Sequence, residues 1–220
     1  MRGLKQINAE EWQRRQEGIE QRYKLRNRFK IAYDRLCAHS PKRWIDIGAG
    51  NGFLAEVVKP ALPGVHVVGV DFVEEILNGA TALDERIVHD LDEAELPFES
   101  ARFDFVTCLD TLEHVVLPER IMQEMFRILC PGGRCLISVP NMQFIEYVLS
   151  FAKGKVPHPA ADPRHMSVFT LPFLSQKLQG VGFQITHTAG CDASPMWLAR
   201  ISKRYLCKTI VVEGVKPSGL

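Results

Sequence analysis

The sequence has no CxxC pair and no Cys/His spacing of the kind that holds zinc, although it carries Cys37, Cys108, Cys130, Cys135, Cys191 and Cys207. Several of these sit inside apolar runs, where a thiol behaves as a small hydrophobe. Free cysteines, a reducing compartment and no metal site are expected. Met1 to Trp12 contain no apolar stretch of the signal-peptide type, and no run approaches the roughly 20 apolar residues of a membrane span. A cytoplasmic location is therefore expected. Strong net charge is also missing: 27 Lys and Arg face 26 Asp and Glu, which leaves +1 and argues against a dedicated nucleic-acid binder. There is no internal repeat and no low-complexity segment.

What is there suits one domain, or one domain with a short appendage: 220 residues, 46% hydrophobic and 24% charged. The leading residues are rich in Arg and Lys, but Glu is interleaved, so they read as a solvated helix face. Trp12, Ile19, Tyr23, Phe29, Tyr33 and Leu36 recur at helical spacing until Ser40-Pro41 ends the pattern. Residues 1–42 are expected to form a helical extension to a main domain over 43–220. From Arg43 onward short apolar strands alternate with helices. Strands are expected at Arg43–Ile47, Val65–Val70, Arg86–His89, Phe103–Cys108 and Arg134–Val139, with a turn at Pro131-Gly132-Gly133. Two more, Phe183–His187 and Thr209–Val212, follow a helix over Leu171–Gln179. Alternation of this kind predicts an α/β fold with a mostly parallel, doubly wound sheet, because parallel strands need long crossovers.

One turn carries the chemistry. Asp46-Ile47-Gly48-Ala49-Gly50-Asn51-Gly52 runs from a buried strand into a helix, with glycine at alternate positions. Glycine lets a ligand approach the main chain, and the helix start offers unpaired amides. Asp71 follows the next strand, where a carboxylate can meet ribose hydroxyls, and Asp90 follows the third, placed for an adenine edge. The dinucleotide fingerprint GxGxxG fails here, because its third glycine is Phe53. That counts against a nicotinamide-dependent oxidoreductase. Asp46, just before the turn, is poor for a pyrophosphate and suits a cationic ligand.

The four motifs DIGAGNG, VVGVDF, HDLDEAELPFESARFDFVTCLDTLEHV and RILCPGGRCLISVPN, in this order, resemble those of class I S-adenosylmethionine-dependent methyltransferases. The resemblance spans roughly Arg43 to Val212. It implies a Rossmann-like, seven-stranded sheet of order 3-2-1-4-5-7-6 with an antiparallel last strand. It also implies a sulfonium cofactor, S-adenosyl-L-methionine, whose product is S-adenosyl-L-homocysteine. Asp46, Gly48, Ala49 and Gly50 would line the methionine and ribose part. Asp71 would bind the ribose hydroxyls with Phe72 beside the adenine. Asp90 and Leu91 would hold the adenine edge, and Leu109 would face the methionine moiety through its backbone. His165-Met166-Ser167-Val168-Phe169-Thr170 and the following Leu174–Gly182 are similar to a stretch common in the small-molecule branch, of the quinone-biosynthesis and sugar-modifying kind.

For the acceptor, His165 is the catalytic candidate, since it lies in the connection expected to cover the pocket. It could equally be a loop histidine that supports the fold. His114, Asn141, Tyr147 and Phe169 are acceptor-side candidates whose bland alternative is capping or core packing. The segment around Tyr23 to Arg28 is expected either to roof the site or to pack on a flank of the sheet or in a dimer interface. A small-molecule acceptor is the main expectation. The alternatives are a methyltransferase-like binding module without catalysis, or a macromolecular acceptor. Against a nucleic-acid amino-methylase, Leu109-Asp110-Thr111-Leu112 stands where an Asn/Asp-Pro-Pro-aromatic run would be expected. Oligomeric state is not legible.

Overall fold

The structure is a computed structural model that describes residues 28–93, 95–193 and 198–219. Of the expected roof segment only Arg28 falls among them. Helix α1 (Arg28–His39) leads into β1 (Arg43–Ile47), α2 (Phe53–Val58), β2 (His66–Asp71), α3 (Glu74–Asn78), β3 (Glu85–Val88) and β4 (Phe103–Leu109). A 3-10 turn (Leu112–His114), α4 (Pro118–Ile128), β5 (Leu129–Pro140), α5 (Ile145–Ala152), α6 (His158–Ala161) and α7 (Leu171–Val181) come next. The chain then forms β6 (Gln184–Cys191), α8 (Leu198–Ile201), α9 (Lys203–Leu206) and β7 (Thr209–Val215).

The seven strands form one sheet of order β3-β2-β1-β4-β5-β7-β6. β1 to β5 pair in parallel, and β7 runs antiparallel between β5 and β6. This is the expected Rossmann-like arrangement. The chain winds from β1 out to β2 and β3, then crosses back to β4 on the other side. That reversal opens a crevice at the carboxyl ends of β1 and β4. Both sheet faces are covered, which explains the nearly continuous apolar central strands. Ile45, Ile47, Val68, Val106 and Ile137 enter one core with α4 and α7. Trp44, Val67, Phe105, Leu136 and Val211 enter the other with α1 and α2. Helix α4 shows why the pattern was readable: Ile121, Met122, Met125 and Ile128 are buried, and Pro118 starts its first turn.

Most expected strands shift by a residue at an end and β6 runs on to Cys191, while two further boundaries differ in a way that matters. Pro131-Gly132-Gly133 is not a free turn but part of β5, across a register shift against β4. The Gly132 amide donates to the Lys216 carbonyl and the Lys216 amide to the Gly133 carbonyl, so the sheet absorbs it. β7 also runs on past Val212 to Val215. Its Glu213, just beyond the expected strand, has no exposed surface and forms ion pairs with Arg35 of α1 and Arg134 of β5. Burial opposes its ionisation, but the bonds from Arg35 and Thr186 outweigh it and hold the carboxyl at about 2. The cluster fastens α1 to the sheet.

Candidate active site

β1 delivers Asp46 and the glycine turn to the crevice. Gly48, Gly50 and Gly52 all have positive φ. At Gly48 (φ 76°) a Cβ would lie 2.1 Å from Thr111 Oγ1, so both conformation and space demand glycine. β2 ends on Asp71, whose Oδ2 accepts the Gly50 amide (2.8 Å) and Oδ1 the Val73 amide (3.0 Å). The carboxylate thus holds the turn and keeps lone pairs for a ligand. Burial raises its pKa, while the amides of Val73, Gly50 and Phe72 oppose the rise. Asp46 lies deeper. Burial pushes it up to about 7, against a hydrogen bond donated by Thr107 and with a push from Asp71.

These groups line a cavity of about 420 Å³, within the ~300–1,000 Å³ of small-ligand sites. Asp46, Gly48, Ala49, Gly50, Asp71 and Phe72 all border it, as do Leu91 and Leu109. Asp90 does not: its Oδ1 accepts the Asp92 amide (2.9 Å) and shapes its own turn, while the flanking His89 borders the cavity. Arg28 and Asp110 also border it and lie 3.1 Å apart. Asp110 takes φ 49°, a left-handed conformation uncommon outside glycine, and accepts a bond from Ser138. His89 and Asp110 were not singled out from the sequence, and Arg28 entered only as the end of the expected roof segment. His89 adjoins a chosen acid, but Arg28 is one of many basic residues in its segment.

The cavity is also lined by His114, Tyr147 and His165. His165 Nδ1 is 2.7 Å from the Pro159 carbonyl, and His114 Nδ1 is 3.2 Å from the Arg164 carbonyl. A carbonyl only accepts, so each ring donates its Nδ1–H and, when neutral, keeps a lone pair on Nε2. His165 Nε2 is 3.9 Å from Asp162, which Arg164 holds well below the usual carboxylate range. Burial, then the neighbouring His165, lowers the pKa of His114. Glu113 is buried with its Oε2 unpartnered, and burial, then Asp110, raises its pKa well above normal. Glu113, His114 and His165 offer atoms within 4.8 Å of one another, a grouping of metal-ligand types that chain spacing alone did not suggest.

Asn141 and Phe169, expected on the acceptor side, are corrected to structural positions. Asn141 has no exposed surface; its amide donates to the carbonyls of Arg204 and Cys207, and its Oδ1 accepts the Gln143 amide. Phe169 is buried in the core beside Leu174. The two bridge their backbones and pin the acceptor-side connection to β5.

The fold, the glycine turn and the acids beneath it define a methyltransferase domain. The profile of the methyltransferase-domain family matches residues 19–188, and the chain belongs to that family, whose cofactor is S-adenosylmethionine. It is similar to a demethylmenaquinone methyltransferase of Deinococcus radiodurans, with 34% identity over 61% of this chain and 62% of the relative. It is also similar to a ubiquinone biosynthesis O-methyltransferase of Psychrobacter arcticus, with 34% identity over 50% of this chain and 45% of the relative. The chain thus spans about half to three-fifths of these relatives' length. Among solved structures it resembles a chain from the complex of the Haloferax volcanii Trm112 methyltransferase activator with a methyltransferase. The TM-score is 0.70 at 21% identity, over 94% of this chain and 95% of that one. An S-adenosylmethionine-dependent methyltransferase from Mesorhizobium loti gives 0.61 at 20% identity, over 84% and 96%. At these identities the likeness is one of fold.

Proposed function

We propose that this protein transfers a methyl group from S-adenosylmethionine to a small-molecule acceptor seated between Tyr147 and the two histidines. The observation that carries the reading is a single cavity lined both by Asp46, Asp71 and the glycine turn and by His114 and His165. The acids and the turn fit the cofactor: paired carboxylates suit a cation and ribose hydroxyls, and Gly48 leaves the room a Cβ would take. Asp46, Gly48, Ala49, Gly50 and Asp71 would hold the methionine and ribose portions, with Phe72 and Leu91 against the adenine and Leu109 beside the methionine moiety. When bound, S-adenosylmethionine supplies an already activated methyl group. The chain's own work is alignment, worth roughly 7–11 kcal/mol in favourable cases, and handling the acceptor's proton.

That second task falls to His165. Its Nδ1–H is fixed on the Pro159 carbonyl, and Nε2 accepts the proton of the acceptor hydroxyl as the carbon–oxygen bond forms. Asp162 then stabilises the imidazolium. The names of the two relatives above support an acceptor of the quinone-precursor kind.

Calorimetry tests the cofactor assignment. S-adenosylhomocysteine is expected to bind and NAD is not; absence of S-adenosylhomocysteine binding at millimolar concentration overturns the reading. For His165→Gln, kcat for a hydroxyl acceptor is expected to fall by ~10²–10⁴ near neutral pH, with S-adenosylhomocysteine affinity unchanged. The deficit should shrink as rising pH ionises the acceptor. An unchanged kcat and pH profile would remove His165 from the chemistry. Activity abolished by a chelator and restored by a divalent cation would reassign Glu113, His114 and His165 to a cation.

A further inference from the structure

A short surface helix normally turns its apolar residues inward and its polar ones to water. Helix α5 does the reverse. It reads IEYVLSFA with one charged residue, and none of its side chains is buried. Ile145, Val148, Leu149 and Phe151 are 38–50% exposed, and Val156 after the helix is 62% exposed. Exposed apolar surface of this kind marks a contact.

The neighbouring segment shares the pattern. Asn141 binds the carbonyls of Arg204 and Cys207, Arg204 donates to Gln143, and Lys208 lies over the Phe144 ring. α8 and α9 are thereby fastened beside the start of α5. They add exposed Ile201 and Tyr205. Cations predominate in these two segments. Residues 145–156 and 198–208 contain Lys153, Lys155, Arg200, Lys203, Arg204 and Lys208 against Glu146 alone, in a chain whose net charge is only +1.

We propose that α5, the loop to Val156 and α8–α9 dock on the surface of an anionic phospholipid bilayer. The aliphatic and aromatic side chains enter the headgroup boundary, and the Lys and Arg side chains pair with lipid phosphates, their stems lying along the apolar layer. A surplus of cations beside exposed apolar side chains complements an anionic membrane and opposes pairing with a second copy of itself. No helix among the described residues is long and apolar enough to cross a membrane, so the attachment is peripheral. Tyr147 of α5 and Lys208 also border the cavity, so the docked face adjoins it. Together with the function proposed above, this gives a lipophilic acceptor a route from the bilayer; the docking itself stands independently of that function.

The test is flotation of the full chain with phosphatidylcholine vesicles and with vesicles containing added phosphatidylglycerol, with circular dichroism as the folding control. Binding is expected to the anionic vesicles and to weaken with salt. Lys153→Glu with Lys155→Glu should weaken it by at least about 30-fold, since each cation near the surface is worth roughly a factor of five. Val148→Asp with Phe151→Asp should abolish it, with S-adenosylhomocysteine affinity unaltered. A wild-type chain that ignores anionic vesicles overturns the proposal, as does a folded Val148→Asp/Phe151→Asp variant that floats like wild type. Self-association lost in that variant, without vesicle binding, assigns the face to a second copy. Failure to bind S-adenosylhomocysteine would sink the proposed function and leave the vesicle result standing.

Discussion

Asp71→Ala is expected to lower S-adenosylhomocysteine affinity by about 10²–10⁴-fold, the largest loss of any cofactor-side substitution. Two charge-assisted bonds to ribose are each worth ~1.5–3 kcal/mol. Asp71 also accepts the Gly50 and Val73 amides, so alanine leaves both without their partner and loosens the glycine turn. Asp71→Asn separates the effects, because its amide oxygen still accepts one of those bonds but carries no charge. Calorimetry and thermal unfolding on both variants should find asparagine more stable than alanine and still far weaker than wild type in binding. Equal affinity in wild type and Asp71→Ala would show that this carboxylate is not the ribose anchor.

Asp46→Asn is expected to stabilise the ligand-free protein at pH 8 and weaken S-adenosylmethionine binding at the same pH. The folded pKa, about 7, lies above the ordinary aspartate value of 3.8. Between those values the folded chain keeps a proton that the unfolded chain has released. Stability therefore falls as pH rises through this window, and the penalty is complete above pH 7. If the whole shift acted, it would amount to about 4 kcal/mol at most. Asparagine removes the penalty, so its melting temperature should exceed wild type at pH 8 and converge with it near pH 4. The charge that costs stability is the one a sulfonium needs, so wild-type affinity should drop below pH 7 while that of Asp46→Asn stays flat. Thermal melts and calorimetry at pH 5, 6.5 and 8 check both. A variant less stable than wild type at pH 8 contradicts the account.

The legible parts of this fold were those that local chemistry decides. Strand and helix periods, the alternate glycines and the acids at strand ends all follow from nearest neighbours along the chain, and the sheet order was implied by the family resemblance rather than read from them. The illegible parts depend on partners far away. Glu213 lay just beyond the expected last strand, and nothing local reveals that Arg35 and Arg134 reach it. Asn141 looked like a ligand contact because its three bonds go to the backbone, two of them at residues 63 and 66 positions away. Phe169 gave no sign of whether it faced core or cavity. His114 and His165 were visible as residues, but their ring contact at 4.9 Å joins two connections separated by α4, β5, α5 and α6.

The fastening of α1 to β7 also sets an order of events in biosynthesis. Arg35 and Glu213 are 178 residues apart, so as the ribosome releases the chain, the first described helix waits for the last strand before its ion pair can close. The nascent sheet can assemble β1 to β5 first, domains commonly maturing from the N-terminal side. The ion pair that ties α1 to β7 is then among the last contacts to form, and a contact of such long range forms slowly. A nascent chain stalled before residue 213 would lack that closure, and the pocket would reach its finished shape only once the final strand had emerged.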